Sequence, residues 1–246
     1  AYVANNATSG QLIVIDIQDK ANPVIAATST LVGVDPAGSY PQAREIFYYN
    51  NHVYVGTRRT AGPEFHIFSV DPADGASPEN PIHVENRELN HTVRDIVVRG
   101  DYAYIATTGD QNELVILDVS SPGSITPSFP GVGQPEPWRF NASGNEDGTA
   151  VYVVGNKAYL GRTRTTGGRP NFYILDISNH ESPAELGSDS IILNPNTEIS
   201  GLIITGHLAF FSTTNQTVGL QIWDISDSEN PTSWPSCNEN EYNRSE

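Results

Sequence analysis

The chain contains no methionine, a single cysteine (Cys237) and only two lysines, Lys20 and Lys157, among 246 residues. One cysteine excludes an intramolecular disulfide. No apolar run is long enough to span a bilayer, so no membrane insertion is expected of this segment. Basic residues are scarce: 13 Lys and Arg stand against 29 Asp and Glu, a net charge of −16. Such a surface repels nucleic acid and anionic lipid, so neither is expected as a partner. No Gly-x-Ser-x-Gly elbow, phosphate loop or dinucleotide fingerprint occurs, and no catalytic residue or cofactor is assigned. His52, His66, His83, His91, His180 and His207 show no His-x-x-x-His or His-Glu-x-x-His spacing, so no metal is assigned either. No segment has a convincing helical period.

What the chain does have is internal repetition. The phrase Leu12-Ile13-Val14-Ile15-Asp16-Ile17 returns as Leu114-Val115-Ile116-Leu117-Asp118-Val119, as Phe172-Tyr173-Ile174-Leu175-Asp176-Ile177 and as Leu220-Gln221-Ile222-Trp223-Asp224-Ile225. Phe65-His66-Ile67-Phe68-Ser69-Val70 is a weaker copy with serine in the aspartate position. An aromatic phrase precedes each: Tyr2, Tyr54, Tyr104, Tyr159 and Phe210 recur with a period of about fifty residues. Two anchors in the same register define five units.

Each unit reads as four short strands. An apolar inner strand such as Ile96-Val97-Val98 is followed by a tight turn: Asn50-Asn51, Gly100-Asp101, Gly155-Asn156 or Gly206-His207. These residues tolerate the positive φ that two-residue hairpins need. The aromatic strand comes second, the Leu-x-Val-Ile-Asp-Ile strand third, and a weaker outer strand such as Val24-Ile25-Ala26-Ala27 fourth. The third strand is apolar on both faces, so both must be covered, and no helices are on hand to do so. Four-stranded sheets packed face to face meet that need. The fold expected is an all-β propeller over residues 1–246, with a polar tail at 232–246.

The aromatic phrase followed by Leu-x-Val-Ile-Asp-Ile-Ser-x-x-x-x-Pro resembles the LVIVD repeat of bacterial and archaeal surface-associated proteins. The likeness spans the chain in five copies, the second degenerate. It implies a propeller-like fold and an extracellular or cell-surface setting, and it carries no catalytic or ligand motif.

The repeated Asp16, Asp118, Asp176 and Asp224 invite a catalytic reading, yet an acid and base are single residues in an asymmetric site. A residue present in each unit serves the unit, here by accepting from turn amides. The acidic turn Asn145-Glu146-Asp147-Gly148 lacks the alternating aspartates of a calcium loop and reads as a solvated turn. The asymmetric feature is arginine. Arg58, Arg59, Arg162, Arg164 and Arg169 occupy equivalent second-to-third strand loops of units two and four, and Arg44 and Arg94 open the inner strands near that face. Together they are the candidate site for an anionic ligand, against the plainer expectation that they pair with local acids such as Glu45, Glu64 and Asp95. Asn-x-Ser/Thr sequons at Asn6, Asn90, Asn141, Asn215 and Asn243 fit an exported glycoprotein.

The function expected is a non-enzymatic interaction or adhesion platform with a protein or glycan partner, and with self-assembly open to it. The alternatives are a glycoside or lactone hydrolase at the propeller mouth, and a binder of an anionic ligand or acidic glycan. The chain begins at an aromatic phrase, so unit one is expected to lack its innermost strand. The segment 238–246, polar and charged, is a poor replacement, and continuation of the intact protein beyond at least one end is expected.

Overall fold

Two-residue turns set the register of the sheets. Asn50 and Asn51 both have positive φ, 47° and 59°, as a type I′ hairpin requires, whereas Gly100, Gly155 and Gly206 alone take positive φ in theirs. The computed structural model describes residues 1–31, 42–125, 138–163, 169–186, 197–216 and 219–234.

Five antiparallel sheets follow in chain order. Blade one holds β1 (Tyr2–Ala4), β2 (Leu12–Asp16) and β3 (Val24–Ser29). Blade two holds β4 (Ala43–Tyr49), β5 (His52–Thr57), β6 (Phe65–Ser69) and β7 (Ile82–Arg87). Blade three holds β8 (Val93–Arg99), β9 (Tyr102–Thr107), β10 (Leu114–Asp118) and β11 (Arg139–Phe140). Blade four holds β12 (Gly148–Val154), β13 (Lys157–Arg162), β14 (Phe172–Asp176) and β15 (Ala184–Glu185). Blade five holds β16 (Ile199–Thr205), β17 (Leu208–Thr213), β18 (Leu220–Asp224) and β19 (Thr232–Ser233). Strand order within each blade is chain order, inner to outer, as the hairpin pattern predicts. The expected polar tail starts as an outer strand, since Thr232 pairs with Asp224 and Ser233 with Trp223. The expectation about residues 238–246 lies outside the described residues.

The inner strands stand side by side: β4 beside β8, β8 beside β12, β12 beside β16. This arrangement is a β-propeller, and its core lies between blades rather than in one central mass. Tyr54, Phe65 and Ile67 of blade two meet Ile96, Ile105 and Leu117 of blade three. Tyr104, Leu114 and Ile116 then meet Val153, Leu160 and Leu175. Tyr159, Phe172 and Ile174 meet Leu202, Ala209 and Phe211. Leu12 of blade one packs with Val53, Val55 and Phe68. Burying both sheet faces explains why the third strands do not alternate.

The repeated aspartates close each blade. Asp16, Asp118, Asp176 and Asp224 each accept, through Oδ1, the amide of the residue two places on, at 2.8–2.9 Å. Ser69 takes over in the weaker copy, accepting from the Asp71 amide at 3.1 Å and donating to Asp74. Hydrogen bonds from Ser178 and Ser226 hold the carboxyls of Asp176 and Asp224 below the usual carboxylate range. Their stabilising effect is therefore present at neutral pH and is lost only as pH falls through those lowered values. Asp118→Ala is expected to lower stability by about 1 kcal/mol in denaturant unfolding. Unchanged stability with loss of a binding activity would refute the turn-capping role.

Candidate channel-mouth site

The inner strands share a defect that shapes the mouth of the propeller. Each is bulged at its start: between Ala43 and Glu45, Val93 and Asp95, Gly148 and Ala150, and Ile199 and Gly201. A bulge inserts one extra residue and re-aims its side chain. The extra residues are Arg44, Arg94, Thr149 and Ser200, so two of the four present guanidinium groups. Glu45 and Asp95 follow the bulges of blades two and three, and Asp147 and Glu198 precede those of blades four and five.

These side chains converge. Arg94 of blade three reaches past blade four to Glu198 of blade five, with Nη2 3.5 Å from Oε1. The Arg94 Nε is buried and has no hydrogen-bond partner among the described residues. The Asp95 carboxylate accepts from the Ile96 amide and from the Val151 amide of the next inner strand, both at 2.8 Å. Burial pushes the Glu45 carboxyl up to about 7, and the neighbouring Asp95 adds to the rise against the pull of Arg44 and Arg94. Burial also raises Asp95 and Asp147.

The predicted arginines divide. Arg58 and Arg59 are exposed on the blade-two loop. That loop is tied to the rim: the Arg58 amide donates to the Gln42 carbonyl at 2.9 Å, and the Arg59 amide to Thr92 Oγ1 at 3.0 Å. Arg162 is not on the surface at all; its exposure is 0%. Its Nη2 meets Glu113 Oε1 at 3.2 Å and Glu146 Oε2 at 3.3 Å. Nη1 donates to the Ser143 carbonyl at 3.2 Å and approaches the Tyr173 hydroxyl at 3.3 Å. Arg169 is half exposed and pairs with Glu146 at 3.3 Å. Arg164 lies outside the described residues. Arg162 is thus withdrawn from the anion-binding set by carboxylates of its own chain, and the turn carrying Glu146 supplies one of them.

Why Arg162 can be buried is visible in the register. Thr57, Thr107 and Thr213 end the second strands of blades two, three and five, and Arg162 takes that place in blade four. Opposite it stands Gly148, where a Cβ would lie 2.2 Å from the Glu113 carbonyl oxygen. Glycine there lets blade three approach closely enough to supply the counter-charge. Gly144, at φ +108°, is held just as tightly by Glu146 and Arg169.

One set of residues escapes a search for repeated apolar anchors. Gln11, Glu64, Glu113 and Asn171 each immediately precede a third strand, and all are 0–1% exposed. They tie each blade to the link that leaves it. Gln11 accepts the Leu31 amide, Glu64 the Leu89 and Asn90 amides, and Glu113 the Ala142 amide, while Asn171 donates to the Thr197 carbonyl. Burial raises the Glu64 carboxyl, and lifts that of Glu113 to about 7 despite Arg162. The available signal was a polar residue at one fixed repeat position.

Of the sequons, Asn6, Asn90 and Asn141 are exposed. The Asn215 side chain is engaged with Thr197 Oγ1 at 3.3 Å, and Asn243 lies outside the described residues. A cavity of about 190 Å³ lies at the opposite end of blade one, lined by Tyr2, Asp16, Ile17, Pro78 and Glu79. Among the described residues no His, Cys, Asp and Glu side chains are grouped to hold a metal, and no helix is long and apolar enough to cross a membrane.

The LVIVD repeat model matches residues 1–30, 92–129 and 148–189. No curated protein matches the chain in sequence. In structure it is similar to the periplasmic gluconolactonase of Pseudomonas aeruginosa, with a TM-score of 0.64 and 10% identity over 95% of this chain and 65% of that one. A Bacteroides uniformis protein taken to be a 6-phosphogluconolactonase gives 0.64 and 12%, covering 94% of this chain and 68% of that one. The computationally designed protein Ika4 gives 0.50 and 11%, covering 74% of this chain and 90% of that one. Identities this low establish a shared fold and nothing of activity.

Proposed function

Because the chain is a β-propeller of LVIVD repeats, we propose that it is a non-enzymatic interaction and adhesion platform, working outside the cell or at its surface. Its recognition face is the channel mouth, where it takes the carboxylate or sulfate groups of a glycan or protein partner. The observation that carries this reading is the placement of Arg44, Arg58 and Arg59 on one rim. All three are exposed, and none is in an ion pair with another described residue. Guanidinium forks bind two oxygens of a carboxylate or a tetrahedral oxyanion at once, which a compact ammonium does not do with fixed geometry. On a molecule of net charge −16 such recognition is local and weakened by salt. The exposed sequons at Asn6, Asn90 and Asn141 support an exported setting.

The test is binding to an array of sulfated, carboxylated and neutral glycans. The unmodified chain should retain anionic glycans, and Arg44→Ser/Arg58→Ser/Arg59→Ser should weaken retention by about tenfold or more. Equal retention by the triple variant would remove the arginine rim from the account.

A second reading has one observation in its favour. The Glu45 carboxyl, raised to about 7 beside Asp95, is poised to give or take a proton near neutrality. The two bacterial neighbours are described as lactonases. Hydrolysis of a gluconolactone by the unmodified chain, lost in Glu45→Gln, would replace the platform reading with an enzymatic one.

A further inference from the structure

Hydrogen-bond direction fixes the protonation state of one histidine on the rim. Arg139, in β11, can only donate, and its Nη1 lies 2.7 Å from Asn112 Oδ1. The carbonyl end of that amide therefore faces Arg139, and its Nδ2 faces Nε2 of His91 at 3.2 Å. Nδ2 only donates, so Nε2 must accept: His91 is neutral and carries its proton on Nδ1. Asn112 has little room to step aside. It is 8% exposed, its amide donates to the Gly109 carbonyl at 2.9 Å, and its carbonyl accepts from Thr107 Oγ1 at 2.5 Å.

The ring sits where the blade-two and blade-three parts of the rim meet. His91 follows Asn90, whose amide donates to Glu64, and precedes Thr92, whose Oγ1 accepts the Arg59 amide. Its edge lies against Gly109, where a Cβ would fall 2.8 Å from Nε2. The charges facing the ring are Arg59 from the blade-two loop and Asp110 from the turn after Gly109, with Arg139 beyond Asn112. Burial, helped by Arg59, lowers the His91 pKa from 6.5 against the opposite pull of Asp110. A proton on Nε2 would set two donors against each other. Asn112 has one carbonyl, and His91 and Arg139 would then compete for it.

We propose that His91 is a proton-operated member of the anion-binding rim. On taking a proton it draws the Asn112 carbonyl to itself, Arg139 loses that acceptor, and the rim beside Arg59 holds its oxyanion more tightly. This role rests on the rim being an anion site, and it adds a residue whose charge depends on pH. A sulfate or carboxylate beside the ring favours imidazolium, so binding strengthens as pH falls. By linkage, saturating anion raises the proton affinity of His91 by the same factor that the proton gives to anion binding. Glu45 also loses charge as pH falls through about 7, so the part due to His91 is the difference between chains with and without it.

Titration of the whole chain with a sulfated oligosaccharide at pH 7.5 and pH 5, beside His91→Gln, tests this. Glutamine is uncharged at both pH values and can still accept from Asn112. Binding by the unmodified chain should tighten by about fivefold or more at pH 5, and His91→Gln should lose most of that gain. Imidazole nitrogen spectra of the ligand-free chain give a second measure. His91 should show the Nδ1–H tautomer at pH 7.5, and the Asn112 side-chain amide should shift with the titration midpoint of His91. An Nε2–H tautomer, or an Asn112 amide indifferent to that midpoint, would overturn the proposal. So would binding with an equal gain in both chains, or with none in either. No binding at either pH would overturn the anion reading of the rim and this role with it, whereas the other failures leave that reading standing.

Discussion

Arg162→Ala is expected to lower unfolding free energy by about 3–5 kcal/mol, a large share of a typical domain's stability. The guanidinium is fully buried between blades three and four, and its removal takes the buried counter-charge from Glu113 and leaves Glu146 with Arg169 alone. Most of that loss is the penalty for uncompensated charge rather than the worth of the pair itself. Arg162→Thr, which writes in the residue of the other blades, should therefore be almost as damaging. The triple replacement Arg162→Thr/Glu113→Gln/Glu146→Gln removes the charges together and should recover much of the loss. Denaturant midpoints for the three variants decide it. A loss below about 1 kcal/mol in the single variant would mean the cluster is solvated.

Acid should weaken the chain through His66, and His66→Gln should remove that part of the weakening. The imidazole is 0% exposed in the third strand of blade two. Its Nε2 donates to the Pro63 carbonyl at 3.0 Å, and Nδ1 lies 3.4 Å from Nε2 of His83. Burial, reinforced by His83, pushes its pKa from 6.5 down to about 4. Above pH 6.5 both folded and unfolded chains hold it neutral, and it contributes nothing to pH dependence. Between 6.5 and about 4 the unfolded chain takes a proton that the folded one refuses, so stability falls by on the order of 3 kcal/mol. Glu45 and Glu113, raised to about 7, act the other way and gain stability as pH falls through that value. For that reason the comparison is between unmodified chain and variant at pH 7.5 and pH 5 rather than along one curve. An identical pH slope in the variant would refute the buried neutral state.

The blades were legible because the features that specify them are local and repeated. Turn glycines and asparagines fix hairpin register, and third strands without alternation demand cover on both faces. The aspartates were legible for the same reason, as their acceptors lie two residues away. The site was only half legible. Arg44, Arg58, Arg59 and Arg94 do gather at the mouth, since equivalent repeat positions must lie on one face. Arg162 shares that spacing, yet it is buried. Its fate depends on Gly148 opposite and on Glu113 49 residues away in the neighbouring blade. Contacts of that kind come from the packing of blades, which no single repeat encodes. Glu45 and Asp95 were named as local counter-charges for the arginines. Their raised pKa values arise from burial beside the bulges, with Asp95 adding to the rise at Glu45.

Amide-shift titration of the labelled chain with a sulfated oligosaccharide tests the central functional claim most directly. Saturable shifts confined to the backbone around Arg44, Arg58, Arg59 and Arg94, fading as salt rises, are the result the account predicts. Shifts centred on the cavity by Tyr2 and Glu79, or none at any concentration, would contradict it.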